Sequence, residues 1–277
     1  MADGDLTAAN GASPILLEHV EEFISKITLN RPAQRNAMNA AARKALRDAL
    51  DECRAAGSKV VIITGSGPAF CAGMDLKEGA AERASIAEGD AGGRRTASTE
   101  WISLQNVIRH HPAVVIASVN GVALGGGLTL INSADLAVAA EDAGLGMPEV
   151  SFGVYPGMAG PTTQVRLSSK RAAFMVLTAA RIDGRKAEEW GLVNAAVPAD
   201  RLAEETLALA RRIAAYDAVT LEFSKRALWE IPMRRPDWDD ALEFAQEIGA
   251  EIRQRSDAGL RGVQAFAEGR RSAGQGG

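Results

Sequence analysis

The sequence predicts an α/β fold, because patterns typical of buried strands alternate with a helical pattern over its first half. Three apolar, β-branched runs predict strands at residues 23–29, 59–64 and 113–119, and residues 136–139 are a fourth candidate. Residues 40–56, between the first two runs, are rich in Ala, Leu, Arg, Asp and Glu, with apolar residues at helical spacing. This alternation predicts parallel strands that are joined by crossover helices.

After Gly191 the pattern changes to helices alone. Residues 199–216 and 219–229 predict amphipathic helices, a break bounded by prolines follows at 231–236, and further helices are predicted at 238 to about 255 and at 259–268. No strand is predicted in this part. We therefore divide the chain into a core of residues 1–198 and a C-terminal helical oligomerisation region of residues 199–277.

Composition and charge exclude several classes of function. Lys and Arg number 31 against 35 Asp and Glu, a formal net charge of −4, so the chain is not drawn to phosphate backbones. The two cysteines, Cys53 and Cys71, provide neither a disulfide framework nor zinc spacing. The first residues lack a secretory signal, and the apolar stretch 113–140 is too interrupted to span a membrane. We expect a cytoplasmic protein that binds no metal, no nucleic acid and no membrane.

Two glycine-containing turns follow predicted strands and are candidates for binding a negatively charged oxygen. FCAGMDL at residues 70–76 follows the second strand and the turn GSGP, and NGVALGGGLT at 120–129 follows the third strand. Backbone N–H groups in such turns lack ladder partners, and those at a helix N-terminus attract negative charge. The two turns together could place two N–H donors on one oxygen, as an oxyanion hole. Alternatively, the glycines at 125–127 only let a helix pack closely on a strand.

The glycine run matches neither of two common nucleotide-binding motifs. A dinucleotide fingerprint starting at Gly125 requires glycine at position 130, where Leu130 stands, and no Gly-Lys-Ser/Thr follows for a P-loop.

Glu149 is the candidate for proton transfer. It lies in the apolar, glycine-rich stretch 146–160, where loss of solvent raises the pKa of a carboxyl group toward the range useful for acid–base chemistry. The alternative is a surface glutamate that caps a helix or forms an ion pair.

The histidines are weaker candidates for proton transfer: His19 stands alone, and for His110 and His111 at a predicted helix end we expect capping or exposure. The four tryptophans are scattered and predict packing.

Five sequence motifs contain the segments described above and follow one another along the chain. They are ITLNRPAQRNAM at 27–38, VVIITGSGPAFCAGMDL at 60–76, PAVVIASVNGVALGGGL at 112–128, ADLAVAAEDAGLGMPEVSFGVYPG at 134–157 and GRKAEEWGLVNAAVP at 184–198. Over about residues 15–270 the chain resembles the enoyl-CoA hydratase/isomerase (crotonase) superfamily. The resemblance implies a crotonase-like spiral of ββα repeats with a C-terminal helical region, and assembly as a homotrimer or hexamer. It also implies an acyl-CoA thioester substrate, with no cofactor beyond the coenzyme A of the substrate.

The resemblance also implies roles for individual residues. The backbone N–H groups of Met74 and Gly126 would polarise the thioester carbonyl and stabilise an enolate, while Glu149 would transfer protons. A further set would hold the coenzyme A and border the acyl group: Arg35, Ala37, Ala72, Asp75, Leu76, Gly125, Tyr155, Pro156 and Gly157. Residues 79–99, whose composition predicts a surface helix with a mobile tip or a loop over a pocket, would form the variable wall of the acyl pocket. Asp135 matches a structural position.

One position departs from the best-known hydratases of this superfamily. They use two glutamates, and the second, three residues after the oxyanion-hole glycine, is Thr129 here. A threonine hydroxyl holds water or substrate by hydrogen bonds but does not accept a proton near neutral pH.

One glutamate suffices for double-bond isomerisation. One glutamate with a small hydroxyl residue also resembles the hydroxycinnamoyl-CoA hydratase-lyase branch, yet residues 238–248 contain Phe244 and not the tyrosine that this branch uses.

We therefore expect an enoyl-CoA hydratase/isomerase-type enzyme that hydrates or isomerises an enoyl-CoA, with Glu149, Met74, Gly126 and Thr129 as the catalytic set. Two alternatives stay open. One is another reaction of the superfamily, such as that of a hydroxyacyl-CoA hydratase-lyase. The other is a non-catalytic binding protein that kept the fold, for which Thr129 would be the first sign of decay.

Overall fold

A six-stranded sheet forms the centre of the fold, in the computed structural model that describes residues 13–75, 78 and 91–268. Its strands, in spatial order, are β1 (Ile15–Glu21), β2 (Ile24–Leu29), β3 (Val60–Gly65), β5 (Val114–Val119), β7 (Leu136–Ala140) and β10 (Ala195–Val197). The strands β1 and β2 form an antiparallel hairpin, and the other neighbours pair in parallel as the sequence predicts.

A second sheet consists of four short strands: β4 (Ala69–Cys71), β6 (Val122–Leu124), β8 (Leu145–Gly146) and β9 (Arg181–Ile182). The strands β3, β5 and β7 of the large sheet are each followed along the chain by one of the short strands β4, β6 and β8. These three short strands pair in parallel. The chain therefore winds in repeated turns of a long strand, a short strand and a helical segment, which confirms the predicted spiral of ββα repeats.

Ten α-helices of the described residues surround the sheets. In chain order they are α1 (Ala40–Ala55), α2 (Ala91–Arg109), α3 (Gly126–Ser133), α4 (Ala159–Gln164), α5 (Ser169–Thr178), α6 (Gly184–Trp190), α7 (Leu202–Ala214), α8 (Ala218–Arg234), α9 (Trp238–Arg255) and α10 (Ala258–Ala267).

Both faces of the large sheet are buried, which explains why its strands are continuous apolar runs. In β3, Val61 and Ile63 face the main core between the sheets and helices. The alternate residues Val60 and Ile62 face a second cluster, which Ala210 and Ile213 of α7 cover. The helix α7 is therefore part of the packing of the large sheet.

Two predictions about the second half of the chain are wrong. The structure contains a strand after Gly191, since β10 pairs with β7 and its register is held by Asn194, whose side chain accepts the Ala137 N–H at 2.8 Å. The predicted break at 231–236 is also misplaced, because α8 continues through Pro232 to Arg234. A proline in the last turn removes only one helical hydrogen bond, and Arg235 N–H still donates to the Ile231 carbonyl at 3.1 Å.

A buried polar cluster connects α8 to the core. Lys225 forms an ion pair with Asp135 at 2.8 Å and donates to the carbonyls of Ile108 and Ala113. Asp135 also accepts from Trp229 Nε1 at 2.9 Å, and Arg109 lies over the Trp229 ring. These contacts give Asp135 a structural environment.

His111 is buried and not exposed. Its Nδ1 accepts the Ala113 N–H at 3.1 Å and its Nε2 bonds to the Leu50 carbonyl at 2.9 Å, so it joins α1 to the residue before β5 and does not cap α2. It is the exposed His110 whose Nδ1 bonds to a carbonyl of the last turn of α2, that of Asn106, at 2.8 Å. None of the helices in the described part of the chain combines the length and apolar character that a membrane span requires. The division at residue 198 stays a prediction.

Candidate active site

The first glycine turn exposes one backbone N–H group, that of Met74. Met74 forms an isolated parallel bridge with Met38, in which Met38 N–H donates to the Gly73 carbonyl at 2.8 Å and Asp75 N–H donates to the Met38 carbonyl at 3.3 Å. Because Met38 is bonded to the residues before and after Met74, the N–H of Met74 itself points to the opposite side. Gly73 has φ +95°, a conformation that favours glycine.

The second turn lies directly against the first. Gly126 begins α3, so its N–H belongs to the first turn of a helix and has no intrahelical partner. The parallel pairing of β4 with β6 brings the two turns side by side. A Cβ on Gly73 would lie 3.0 Å from Gly126 N and 2.7 Å from the Leu124 carbonyl oxygen. Gly73, the residue before Met74, is thus in contact with Gly126, at a place where only glycine fits. The shared role of Met74 and Gly126 as donors to one oxygen stays a prediction.

The neighbouring glycine serves packing. A Cβ on Gly127 would lie 2.0 Å from the carbonyl oxygen of Cys71, which belongs to β4. The alternative explanation of the glycine run therefore holds for Gly127, which lets α3 pack closely on β4, whereas Gly125 and Gly126 face the candidate site.

Glu149 reaches this site from a short 3₁₀ helix, Pro148–Phe152. Its Oε1 lies 2.5 Å from the position that a Cβ on Gly125 would occupy. Its Oε2 is buried without a hydrogen-bond partner, and burial raises the pKa of the carboxyl group. Glu149 forms no ion pair among the described residues, so the alternative of an ion-paired surface glutamate does not hold. Burial shifts the pKa of its carboxyl group in the direction that the sequence predicts.

Thr129 is fully buried in α3. Its hydroxyl donates to the Gly125 carbonyl, with an Oγ1–O distance of 3.3 Å. The hydroxyl therefore supports the backbone of the second turn, and its predicted catalytic role stays a prediction.

The contact of Trp101 with the site is absent from the sequence analysis. Trp101 of α2 is 1% exposed and belongs to the core, in agreement with the prediction of packing. Its ring atoms Cη2 and Cζ2 lie 2.7 and 2.9 Å from the position of a Cβ on Gly126. The indole therefore touches the same residue whose N–H is a candidate oxyanion donor.

Comparison with known proteins identifies the family. The sequence profile described as enoyl-CoA hydratase/isomerase matches residues 19–275. The chain belongs to the enoyl-CoA hydratase/isomerase family. It is therefore an enzyme of a family that acts on coenzyme A thioesters.

Individual relatives agree with this assignment. The chain is 34% identical over 218 residues to a hydroxycinnamoyl-CoA hydratase-lyase of Pseudomonas fluorescens, a match that covers 74% of this chain and 75% of the relative. It is 36% identical over 210 residues to a 2,3-dehydroadipyl-CoA hydratase of Escherichia coli, covering 75% and 79%. The crystal structure of an enoyl-CoA hydratase of Mycobacterium smegmatis superposes with a TM-score of 0.85 at 29% identity, covering 94% and 98%. The crotonase fold is thereby confirmed.

The segment around Arg35 and Ala37, which is predicted to hold coenzyme A, is fixed by Asn36, a residue that was not among the predicted site residues. The Asn36 amide donates to the carbonyls of Ser66 and Ala69 at 2.9 and 2.7 Å, and its Oδ1 accepts the Arg31 N–H at 2.9 Å. Asn36 and the exposed Arg35 both adopt positive φ, 58° and 49°, a conformation that asparagine tolerates better than most residues.

The other residues predicted to hold coenzyme A lie around this segment. Ala72 N–H donates to the Arg35 carbonyl at 2.9 Å, and Ala37 is buried with its carbonyl bound by Arg31. Asp75 forms an ion pair with Arg31 at 2.9 Å. Leu76 lies outside the described residues. Hydrogen bonds and an ion pair therefore join residues 31–37 to residues 72–75. The roles of these residues in binding coenzyme A stay predictions.

The residues predicted to border the acyl group follow the 3₁₀ helix of Glu149. Tyr155 is exposed and its hydroxyl accepts from Gln164 at 2.9 Å, whereas Pro156 is buried and Gly157 is exposed. Of the predicted wall at 79–99, residues 79–90 lie outside the described part and the rest begin α2. A cavity of about 730 Å³ lies between α1 and α2. Its lining includes Thr99, the last residue of the predicted wall, but no other predicted site residue.

Proposed function

We propose that this chain is an enoyl-CoA hydratase/isomerase-type enzyme, which hydrates an enoyl-CoA or shifts its double bond through a thioester enolate. The observation that carries the proposal is the contact between the turns of Gly73 and Gly126, with the carboxyl group of Glu149 against the second turn. This arrangement combines two backbone donors for one oxygen with one group that exchanges protons.

The two N–H groups would stabilise the negative charge that develops on the thioester oxygen. As a proton leaves C2, or as an oxygen adds at C3, electrons move onto the carbonyl oxygen. The N–H groups of Met74 and Gly126 have no partner within the described protein that would compete for them. Fixed donors of this kind contribute about 3–4 kcal/mol each to lowering the barrier.

Glu149 would be the single proton carrier. Its raised pKa makes it a stronger base than an exposed glutamate and keeps part of it protonated closer to neutral pH. In isomerisation one carboxyl group suffices, because it removes a proton from one carbon and returns it to another. In hydration the same group would take the proton from water and later deliver a proton to C2. The Thr129 hydroxyl, which donates to Gly125, is no substitute for a second carboxylate.

The proposal is tested by two measurements on the same protein. Exchange of the C2 protons of butanoyl-CoA for deuterium reports enolate formation without any double bond. Absorbance of the conjugated thioester falls when a 2-enoyl-CoA is hydrated and rises when a 3-enoyl-CoA is isomerised. Both should decrease about 10²–10⁴-fold in Glu149→Gln. Exchange that stays within a few-fold of wild type in this variant would refute the role of Glu149.

A hydratase-lyase reaction is the second candidate. The similarity to the Pseudomonas fluorescens hydratase-lyase favours it, together with the single glutamate. Against it stands Phe244, which is 3% exposed and packs on Phe223 and Ile248, so it offers no hydroxyl to a substrate phenol. An assay with a hydroxycinnamoyl-CoA separates the two, because cleavage between C2 and C3 releases an aldehyde and acetyl-CoA, whereas hydration alone releases neither.

We also propose that the chain assembles as a homotrimer or hexamer in the cytoplasm. Large apolar side chains of α8, α9 and α10 are exposed in the single chain, among them Leu228, Trp238, Leu242 and Leu260, which is typical of surfaces that another subunit covers. Light scattering of the purified protein tests the assembly, and a monomeric mass would refute it.

A further inference from the structure

A buried donor and a buried acceptor without partners flank one turn of the chain. In the described part, four buried side-chain polar atoms lack a hydrogen bond: Trp101 Nε1, Arg109 Nε, Asn132 Oδ1 and Glu149 Oε2. Glu149 contacts Gly125, and Trp101 contacts the next residue, Gly126. Buried polar groups are nearly always hydrogen-bonded. An unpaired acceptor on Glu149 and an unpaired donor on Trp101, which contact the neighbouring residues Gly125 and Gly126, therefore indicate that a ligand bonds to both.

The N–H of Trp101 lies on the edge of the ring that faces Gly126. In an indole, Nε1 and Cζ2 are bonded to the same carbon, so Nε1, Cζ2 and Cη2 follow one another along one edge. It is Cζ2 and Cη2 that contact Gly126. Tight packing in the core holds the ring in this orientation, since only 1% of Trp101 is exposed. The unpaired N–H therefore belongs to the ring edge that contacts Gly126.

The carbonyl of Gly125, between the residues that Glu149 and Trp101 contact, is already used as an acceptor. The Gly125 carbonyl accepts from Thr129 twice, from its backbone N–H at 3.0 Å and from its hydroxyl at 3.3 Å. Trp101 Nε1 has no acceptor in the described protein, and an oxygen of a bound molecule would supply one. A tryptophan N–H only donates, so the atom that it binds is an acceptor such as oxygen.

We propose that Trp101 Nε1–H donates a hydrogen bond to an oxygen atom at C3 of the acyl group, and that it thereby selects thioesters that carry oxygen at this carbon. The inference rests on the proposed function, because it takes the ligand to be an acyl-CoA whose carbonyl binds Met74 and Gly126. Carbon 3 is two bonds from the thioester carbon, so its oxygen lies close to Gly126. Trp101 orients this oxygen, and Glu149 moves the proton.

The test measures binding of two thioesters that lack a double bond, butanoyl-CoA and 3-oxobutanoyl-CoA, which differ in the oxygen at C3. Wild-type protein should bind 3-oxobutanoyl-CoA about ten-fold more tightly. In Trp101→Phe, which keeps an aromatic ring and loses the donor, this ratio should fall to about two-fold or less, with the affinity for butanoyl-CoA within about three-fold of wild type. Trp190→Phe is the matched control, because its ring packs against Phe174 at a 5.9 Å centroid distance, outside the candidate site.

The outcomes separate the two proposals. If both thioesters bind and the ratio is the same in Trp101→Phe as in wild type, the inference is wrong while the proposed function stands. If wild-type protein binds neither thioester, the proposed function fails and the inference with it.

If Trp101→Phe does not fold, indole ¹⁵N–¹H spectra of the wild-type protein test whether the Trp101 N–H binds the oxygen at C3. The chain has four tryptophans, and the signal of Trp101 is assigned by replacing the other three singly with phenylalanine. A downfield shift of this signal with 3-oxobutanoyl-CoA that butanoyl-CoA does not produce supports the hydrogen bond. Equal shifts with the two thioesters overturn it.

Discussion

Replacing Glu149 by glutamine should stabilise the protein near neutral pH, although it removes the proposed proton carrier. Glu149 Oε2 is buried without a partner, and burial raises the pKa of the carboxyl group in the folded state. The unfolded chain therefore loses this proton at lower pH than the folded chain. The contribution of the carboxyl group to stability is complete below its unfolded pKa and is lost as the pH rises through its folded pKa.

The size of the gain follows from the environment of the carboxylate. A buried polar group without a partner costs about 1–3 kcal/mol, and because Glu149 is only partly buried, we expect the lower end, about 1 kcal/mol. For a chain of this size that corresponds to a rise in Tm of about 2–4 °C. Glutamine has a similar shape and never ionises. The difference between variant and wild type should therefore shrink toward zero as the pH falls below about 4, where the glutamate becomes protonated in both the folded and the unfolded state.

The assay is thermal and urea denaturation of wild type and Glu149→Gln at about pH 5 and about pH 8. Glu188→Gln is the matched control, because Glu188 is exposed in α6 and its replacement removes the same charge without a change in burial. A Glu149→Gln protein that is no more stable than wild type at the higher pH would show that the carboxylate is solvated or paired. A gain of the same size at both pH values would refute the linkage to ionisation.

Two further predictions concern packing and thiol chemistry. Gly127→Ala should lower the free energy of unfolding by about 3 kcal/mol or prevent folding, because its Cβ would lie 2.0 Å from the Cys71 carbonyl oxygen. Gly57→Ala, whose Cβ would have no atom within 4 Å but which has φ +70°, should lower it by about 1 kcal/mol. Urea denaturation measures both, and equal losses would contradict this prediction. Burial raises the pKa of Cys53 to about 11 and that of Cys71 to about 12. Ellman's reagent should therefore detect no thiol in folded protein and two after unfolding, and rapid labelling of folded protein would contradict this.

The long parallel strands could be predicted because both of their faces are buried. The side chains of Val60 to Ile63 alternate between two apolar clusters, so the run contains no polar residue that would obscure it. The short strands β6, β8, β9 and β10 have two or three residues each. Their pairing depends on the arrangement of the whole spiral, and no local periodicity of that length distinguishes a strand from a loop.

The candidate site likewise contains residues that motifs predict and one contact that only the packing of helices determines. Met74, Gly126 and Glu149 could be predicted as candidates because motifs place backbone donors and a carboxylate in segments whose order is characteristic. Trp101 was not related to the site, because its contact with Gly126 depends on how α2 packs beside α3. The orientation of Thr129 had a signal in the sequence, since a threonine inside a helix often bonds to the carbonyl four residues earlier.

The hydrogen bonds of Asn36 determine what a ligand encounters at this edge of the molecule. One amide joins Arg31, Ser66 and Ala69 across the ends of neighbouring strands before any ligand is present. The conformational entropy of these loops is therefore lost during folding and not on binding. A ligand that binds here contacts loops that hydrogen bonds already hold, so its affinity is not lowered by the cost of ordering them.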